Sequence, residues 1–274
     1  MRTSDPFAKL TLILHPSDLS GAETSAFVHA LRLSVASGAE LHLLNVAGGA
    51  SGAAVDAFSH AGPVLERWRS AGPHGGLLVT KSVERERGQP AEQIRQFVEL
   101  ERPDLVVLSP HQRQGLARVL HPSVSQAFAA GALAMTLFVP REGRPFVDAG
   151  TGDVSLRRIV VPVARVPEAE PAVEAALGLA RLLGCGPLHL TLLHVGQARD
   201  FPGVVVPAVD AGVTVERVSL GGNVVDGIVG CCEGADLVVM TTEGRVTMLD
   251  QIRGATTENI LRRASCPVLA VPAV

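Results

Sequence analysis

The tetrapeptide Asp104-Leu105-Val106-Val107 returns as Asp236-Leu237-Val238-Val239, 132 residues later. At the same offset and without a gap, Arg113 falls on Arg245 and Val139-Pro140 on Val271-Pro272. Register kept over this length marks a duplicated structural unit, which restricts the fold more than any composition does. Near the start of each half, Ile13-Leu14-His15-Pro16 matches Val160, Val161 and Pro162 at an offset of 146. The second copy is therefore 14 residues shorter, and most of the difference follows the second strand, where Ala47 to Gly62 is rich in Gly and Ala.

Each copy alternates two hydrophobic periods. In the second, Arg158 to Val163 reads as a buried strand, and Val173, Ala176, Leu177, Ala180 and Leu183 line one face of a helix that Gly184 ends. Strands follow at Leu188 to Val195, Val213 to Ser219, Leu237 to Met240 and Val268 to Val271. Asn223 is placed to cap a short helix, and a last helix is expected near Thr256 to Ala264. The first copy repeats the order, with strands at Thr11 to Leu14, Leu41 to Val46, Leu77 to Val83, Leu105 to Leu108 and Met135 to Val139. It adds a helix carrying Val64, Leu65 and Trp68. Valine-rich strands separated by helices are buried on both faces, so the expected class is α/β: two doubly wound, parallel, five-stranded, Rossmann-like sheets. Arg141 to Ser155 holds Gly143, Pro145, Gly150 and Gly152 with few apolar residues and reads as the linker between domains at 1–145 and 156–274.

Of 274 residues, 47% are apolar and 19% charged, a balance that excludes a disordered chain. The net charge of −3 excludes a generally basic nucleic-acid binder, and with 3% aromatics and no Tyr a base-stacking platform is not expected. Cys185, Cys231, Cys232 and Cys266 have no metal-knuckle spacing. Cys231 and Cys232 have no basic residue near them in sequence and are expected to pack as reduced thiols. With no membrane-length apolar run, the expectation is a soluble, cytoplasmic chain that does not engage membranes.

In an open parallel sheet, ligands sit beyond the carboxyl ends of the strands where strand order reverses. After strand four of the second copy comes Thr241-Thr242-Glu243-Gly244-Arg245, and Gly254 precedes the last helix. Glycine at a helix start lets the main chain approach a phosphate, although both glycines also fit ordinary turns. Arg245 and Arg253 either meet an anion or pair with Glu243 and Asp250. His194 occupies the place of Asn45 and reads as a hydrogen-bonded strand-end histidine rather than a metal ligand.

The chain resembles the universal stress protein family in its tandem, two-copy form. The resemblance rests on a first strand ending Pro-x-Asp-x-Ser, the Asp-Leu-Val-Val strand, a G-x2-G-x9-G-[S/T] loop and a closing Cys-Pro-Val-Leu-x-Val strand. It implies the adenine-nucleotide alpha-hydrolase-like variety of the fold, with the Asp after strand one on the adenosine and the glycine loop on phosphates and ribose. Pro16-Ser17-Asp18-Leu19-Ser20 puts Asp18 in the acid's place, where it can also cap a helix starting near Gly21. The first loop departs from the pattern: Ser109, Gln112 and Pro122 replace the glycines, and only Ser123 matches, although His111, Arg113 and Arg118 could supply positive charge. In the second copy, Ala164 replaces the acid, while Thr241, Gly244, Gly254 and Ala255 retain two of three glycines, and Thr256 or Thr257 could supply the missing hydroxyl. With Val195 at the end of the second strand and Arg245 in the loop, these complete the candidate site.

The resemblance implies a regulatory stress-response module with a weak site for ATP, ADP or AMP in the second copy. The sequence does not decide whether magnesium accompanies it. The final strands would pair edge to edge as an internal pseudo-dimer, which leaves room for a homodimer of the whole chain. The alternative is a protein that binds no nucleotide and acts through protein contacts, or through a small or lipidic ligand under Ala47 to Gly62. No Ser-His-Asp motif or lysine-bearing phosphate loop is present, so an enzyme is not expected beyond a slow ATPase.

Overall fold

The computed structural model describes residues 5–17, 25–47, 61–68, 77–85, 90–109, 134–242 and 256–273. The first repeat comprises β1 (Leu12–Pro16), α1 (Ser25–Ser37), β2 (Glu40–Ala47), α2 (Ala61–Arg67), β3 (Val79–Arg85), α3 (Pro90–Glu101), β4 (Leu105–Leu108) and β5 (Met135–Phe138). The second comprises β6 (Arg158–Pro162), α4 (Glu170–Leu182), β7 (Leu188–Val195), β8 (Val213–Leu220), α5 (Val224–Cys232), β9 (Leu237–Thr242), α6 (Thr256–Arg263) and β10 (Val268–Pro272). Each repeat is a parallel sheet of order 3-2-1-4-5. The two expected five-stranded sheets join into one of ten strands, in the order β3-β2-β1-β4-β5-β10-β9-β6-β7-β8. The seam is antiparallel, with Val268 opposite Phe138, Leu269 opposite Leu137 and Ala270 opposite Thr136. Pairing the two closing strands removes two apolar sheet edges that would otherwise be open to other chains.

Matching residues do matching work in the two copies. The Asp104 carboxylate accepts from the backbone N–H groups of Thr11 (2.6 Å) and Leu12 (3.1 Å). Asp236 accepts from those of Arg157 (2.9 Å) and Arg158 (2.8 Å). Each carboxylate ties the entry of the fourth strand to that of the first, and so holds the centre of its sheet in register. The helix punctuation also follows from local chemistry. Gly184, at φ +64°, ends α4 in the left-handed region, and the Asn223 side chain accepts from Val225 and Asp226 N–H to start α5. The fourth strand of the second repeat runs to Thr242, two residues past its predicted end, because Thr241 and Thr242 continue the ladder opposite Val271 and Pro272. Among the described residues, no helix is long and apolar enough to cross a membrane.

The Arg141 to Ser155 segment is packed more closely than its composition suggests. Phe146 and Val147 are buried, as is Leu156 just beyond. The Phe146 ring meets His29 edge-on at 4.4 Å, and its N–H donates to His29 Nε2 (3.3 Å), while His29 Nδ1 donates to Ser25 O (2.7 Å). Trp68 Nε1 donates to Ala149 O (3.1 Å), and Arg32 Nε to Gly152 O (3.1 Å). Gly152 has φ +75°, and a Cβ there would stand 2.6 Å from the indole. The connection is thus a lid bonded to α1 and to Trp68, built from a few apolar anchors between turn residues.

Candidate functional site

Both sheets open at their switch points. β6 pairs with β9 only at Ile159–Leu237 and Val160–Val238, although the strands continue to Pro162 and Thr242. β1 and β4 pair likewise only at Ile13–Leu105 and Leu14–Val106. The central strands therefore diverge toward their carboxyl ends, leaving a crevice in each repeat where α/β sheets take ligands.

The first crevice is bridged by its own side chain. His15 Nδ1 donates to Val107 O on β4 (2.8 Å), and its ring lies 6.0 Å from that of Phe27 on α1. The matching residue in the second repeat is Val161, which has no donor to offer. There, Thr241 is buried at the end of β9, and its hydroxyl has no hydrogen-bond partner among the described residues. Thr241 follows Val239 in the strand alternation, and Val239 belongs to the core cluster that includes α4, so the hydroxyl lies on the α4 side of the sheet.

The ends of the second strands also correspond. Asn45 Nδ2 donates to Ser17 O (2.7 Å), and His194 Nδ1 donates to Val163 O (3.2 Å). The backbone repeats the link, with Ser17 N–H donating to Leu44 O and Val163 N–H to Leu193 O, both at 2.7 Å. This is the hydrogen-bonded role expected of His194. The turn after strand one is thereby held to strand two in both copies. Asn45 is buried, and its Oδ1 has no hydrogen-bond partner among the described residues.

Other candidate residues surround the second crevice. Ala164 is exposed just past β6, with no carboxylate to meet a ribose or a base. Val195 is half-buried on the opposite sheet face, packed where a Cβ on Gly227 would stand 2.9 Å from its Cγ2. Thr256 is exposed and Thr257 half-buried at the start of α6. Asp18, Gly244, Arg245, Gly254 and Ala255 lie outside the described residues, as do the first loop from Gln112 to Ser123 and most of Ala47 to Gly62.

One cluster escaped sequence reasoning. The Phe201 ring stands 5.6 Å from that of His194, and the Arg217 guanidinium lies 5.8 Å from the Phe201 centroid. Gly196 makes room for the imidazole, since a Cβ there would collide with His194 Nε2. The only sequence signal was an isolated Phe in a Pro- and Gly-containing loop, which fixes no position in space.

The family model described as the universal stress protein family matches residues 11–140 and 205–272. The chain belongs to the universal stress protein family. Its ten-stranded layout is similar to that of a universal stress protein from Archaeoglobus fulgidus DSM 4304, with TM-score 0.62 and 19% identity over 95% of this chain and 96% of that one. A protein of unknown function from Pseudomonas aeruginosa PAO1 has TM-score 0.64 and 16% identity over 98% and 95% of the two chains. At these identities the likeness concerns the fold. No curated protein matches. As a tandem member of the family, the chain carries both units of the sheet, and both crevices, in one polypeptide.

Proposed function

We propose that this tandem universal stress protein is a regulatory module that binds an adenine nucleotide, ATP, ADP or AMP, in the crevice of its second unit. The reading takes the two units as residues 1–145 and 156–274. What carries it is the contrast between the crevices: His15 spans the first, whereas Val161 at its place leaves the second unbridged, beside the buried Thr241 hydroxyl, which has no partner among the described residues. A buried hydroxyl left without a partner costs about 1–3 kcal/mol, which a polar ligand group at that position recovers. Val163 and Ala164 at the end of β6, with His194 holding the turn, form one wall, and Thr241 forms the other. Gly244, Arg245, Gly254, Ala255, Thr256 and Thr257 follow in sequence and match the family's glycine loop, so in this reading they would meet the phosphates. With Ala164 in place of an acid, one expected ligand contact is missing, which supports weak rather than tight binding.

The test is thermal unfolding of the full chain with millimolar ATP, together with native mass spectrometry of the purified protein. A co-purifying adenine nucleotide and a rise in Tm that disappears in Thr241→Val are expected, since valine keeps the shape and removes only the hydroxyl. Absence of both nucleotide and Tm shift would overturn the reading in favour of a module acting through protein contacts. A shift that survives Thr241→Val but is lost when Asn45 is replaced would assign the ligand to the first crevice instead.

A further inference from the structure

Cys232 closes α5 and Cys266 precedes β10, and both are fully buried in the cluster that covers one face of the second sheet. Their thiols are near enough for each to shift the titration of the other. The Cys232 sulfur also lies 3.4 Å from Ile228 O, the carbonyl one turn back on α5. The sequence expectation that no basic residue stands near Cys232 is corrected here. Arg144, 88 positions away in the chain, places Nη2 2.6 Å from Cys232 O and 3.2 Å from Ala235 O. Its positive charge favours the thiolate of both cysteines.

The pair is electrically asymmetric. The neighbouring Cys266 thiol lowers the Cys232 thiol below the ordinary cysteine range, with Arg144 adding to the effect. The same neighbour, together with burial, pushes Cys266 up. These directions make Cys232 the better nucleophile of the two and Cys266 the resolving thiol, the division of labour that a peroxide-driven disulfide needs. Cys185 and Cys231 differ: burial raises both, Cys185 to about 11.

Arg141, Glu142, Gly143 and Arg144 form an exposed turn, fastened to the β10 entry by Arg144 N–H donating to Ser265 O (2.8 Å). Local opening of such a turn admits a molecule the size of a peroxide without unfolding the sheet.

We propose that Cys232 and Cys266 are a reversible disulfide pair, closed by a small peroxide that enters beneath the Arg141–Arg144 turn. The Cys232 thiolate attacks one peroxide oxygen and the O–O bond breaks, giving a sulfenic acid and hydroxide, or an alcohol from an organic peroxide. The Cys266 sulfur then attacks the sulfenic sulfur, its proton leaving with the hydroxyl as water as the S–S bond forms. Two electrons pass from the thiol pair to the peroxide, and a dithiol reductant returns them. The bond would clamp the end of α5 to the entry of β10, the strand that forms the seam.

The experiment treats the full-length native protein with hydrogen peroxide, then blocks free thiols and maps the peptides by mass spectrometry. Expected are a loss of two hydrogens from the intact mass and a cross-link between the Cys232 and Cys266 peptides that dithiothreitol reverses. The oxidised form should have a raised Tm, and Cys185 should remain open to alkylation. The cross-link should persist in C231S and vanish in C232S, and in C266S a dimedone adduct should collect on Cys232. Oxidation that starts at Cys185 or Cys231, or native protein that forms no cross-link at millimolar peroxide, would overturn the proposal.

Discussion

Leu137 and Leu269 are the same position in the two repeats, 132 residues apart, and they face each other across the antiparallel seam. The local two-fold axis relating the halves therefore passes between these two side chains. Each is 1% exposed, and together they make the contact on which one chain becomes its own pseudo-dimer. Replacing either by Ala should cost about 2–5 kcal/mol in urea unfolding. Because the residues touch, the double variant should depart from additivity by about 0.5–3 kcal/mol, and strict additivity would deny the contact.

The two central carboxylates give an independent check on the repeat. Asp104→Ala and Asp236→Ala each leave two strand-entry N–H groups without their acceptor. Each should lower stability by about 1–3 kcal/mol, and the two losses should be similar. A loss in only one would mean that the copies do not share this staple.

Gly152 serves as a probe of the lid. Gly152→Ala must place a Cβ at φ +75° and 2.6 Å from Trp68, so steric and backbone strain act together. The variant should lose at least about 1 kcal/mol. Trp68 is the single tryptophan, so its emission should shift to the red as the indole leaves its place under Ala149. Unchanged fluorescence and stability would contradict the packed connection.

Acid should act through His29. Burial lowers its pKa from 6.5 to about 4, and its two ring nitrogens, one donating to Ser25 O and one accepting from Phe146 N–H, require the neutral form. Between those two pH values the unfolded chain binds a proton that the folded one refuses. Stability should therefore fall as pH drops from about 6.5 to about 4, by an amount on the order of 3 kcal/mol from this group. His29→Gln should flatten that part of the curve relative to the parent chain, and an identical slope would assign the acid sensitivity elsewhere.

The parts legible in the sequence were those encoded by short-range pattern. Val-rich runs marked ten strands, Gly184 and Asn223 marked the ends of helices, and the constant offset of Asp104 and Asp236 marked the duplication, while the pairing of the closing strands followed from the resemblance to the universal stress protein family. His194 was readable because Asn45 stood at its place in the other copy. What stayed hidden depended on distant parts of the chain meeting. Nothing local places Arg144 over Cys232, or Phe201 beside His194. Phe146 and Val147 are too few to alter a composition that otherwise reads as linker, yet they anchor it. The splay of β6 from β9 is a property of sheet geometry that no single residue announces.

Backbone hydrogen exchange tests the shared seam most directly. Amides of Thr136 to Phe138 and of Val268 to Ala270 should exchange together, at the slow rate of the central strands, because each group stands within one continuous ladder. Fast exchange of either trio, at the rate of an open sheet edge, would show two separate sheets and contradict the account.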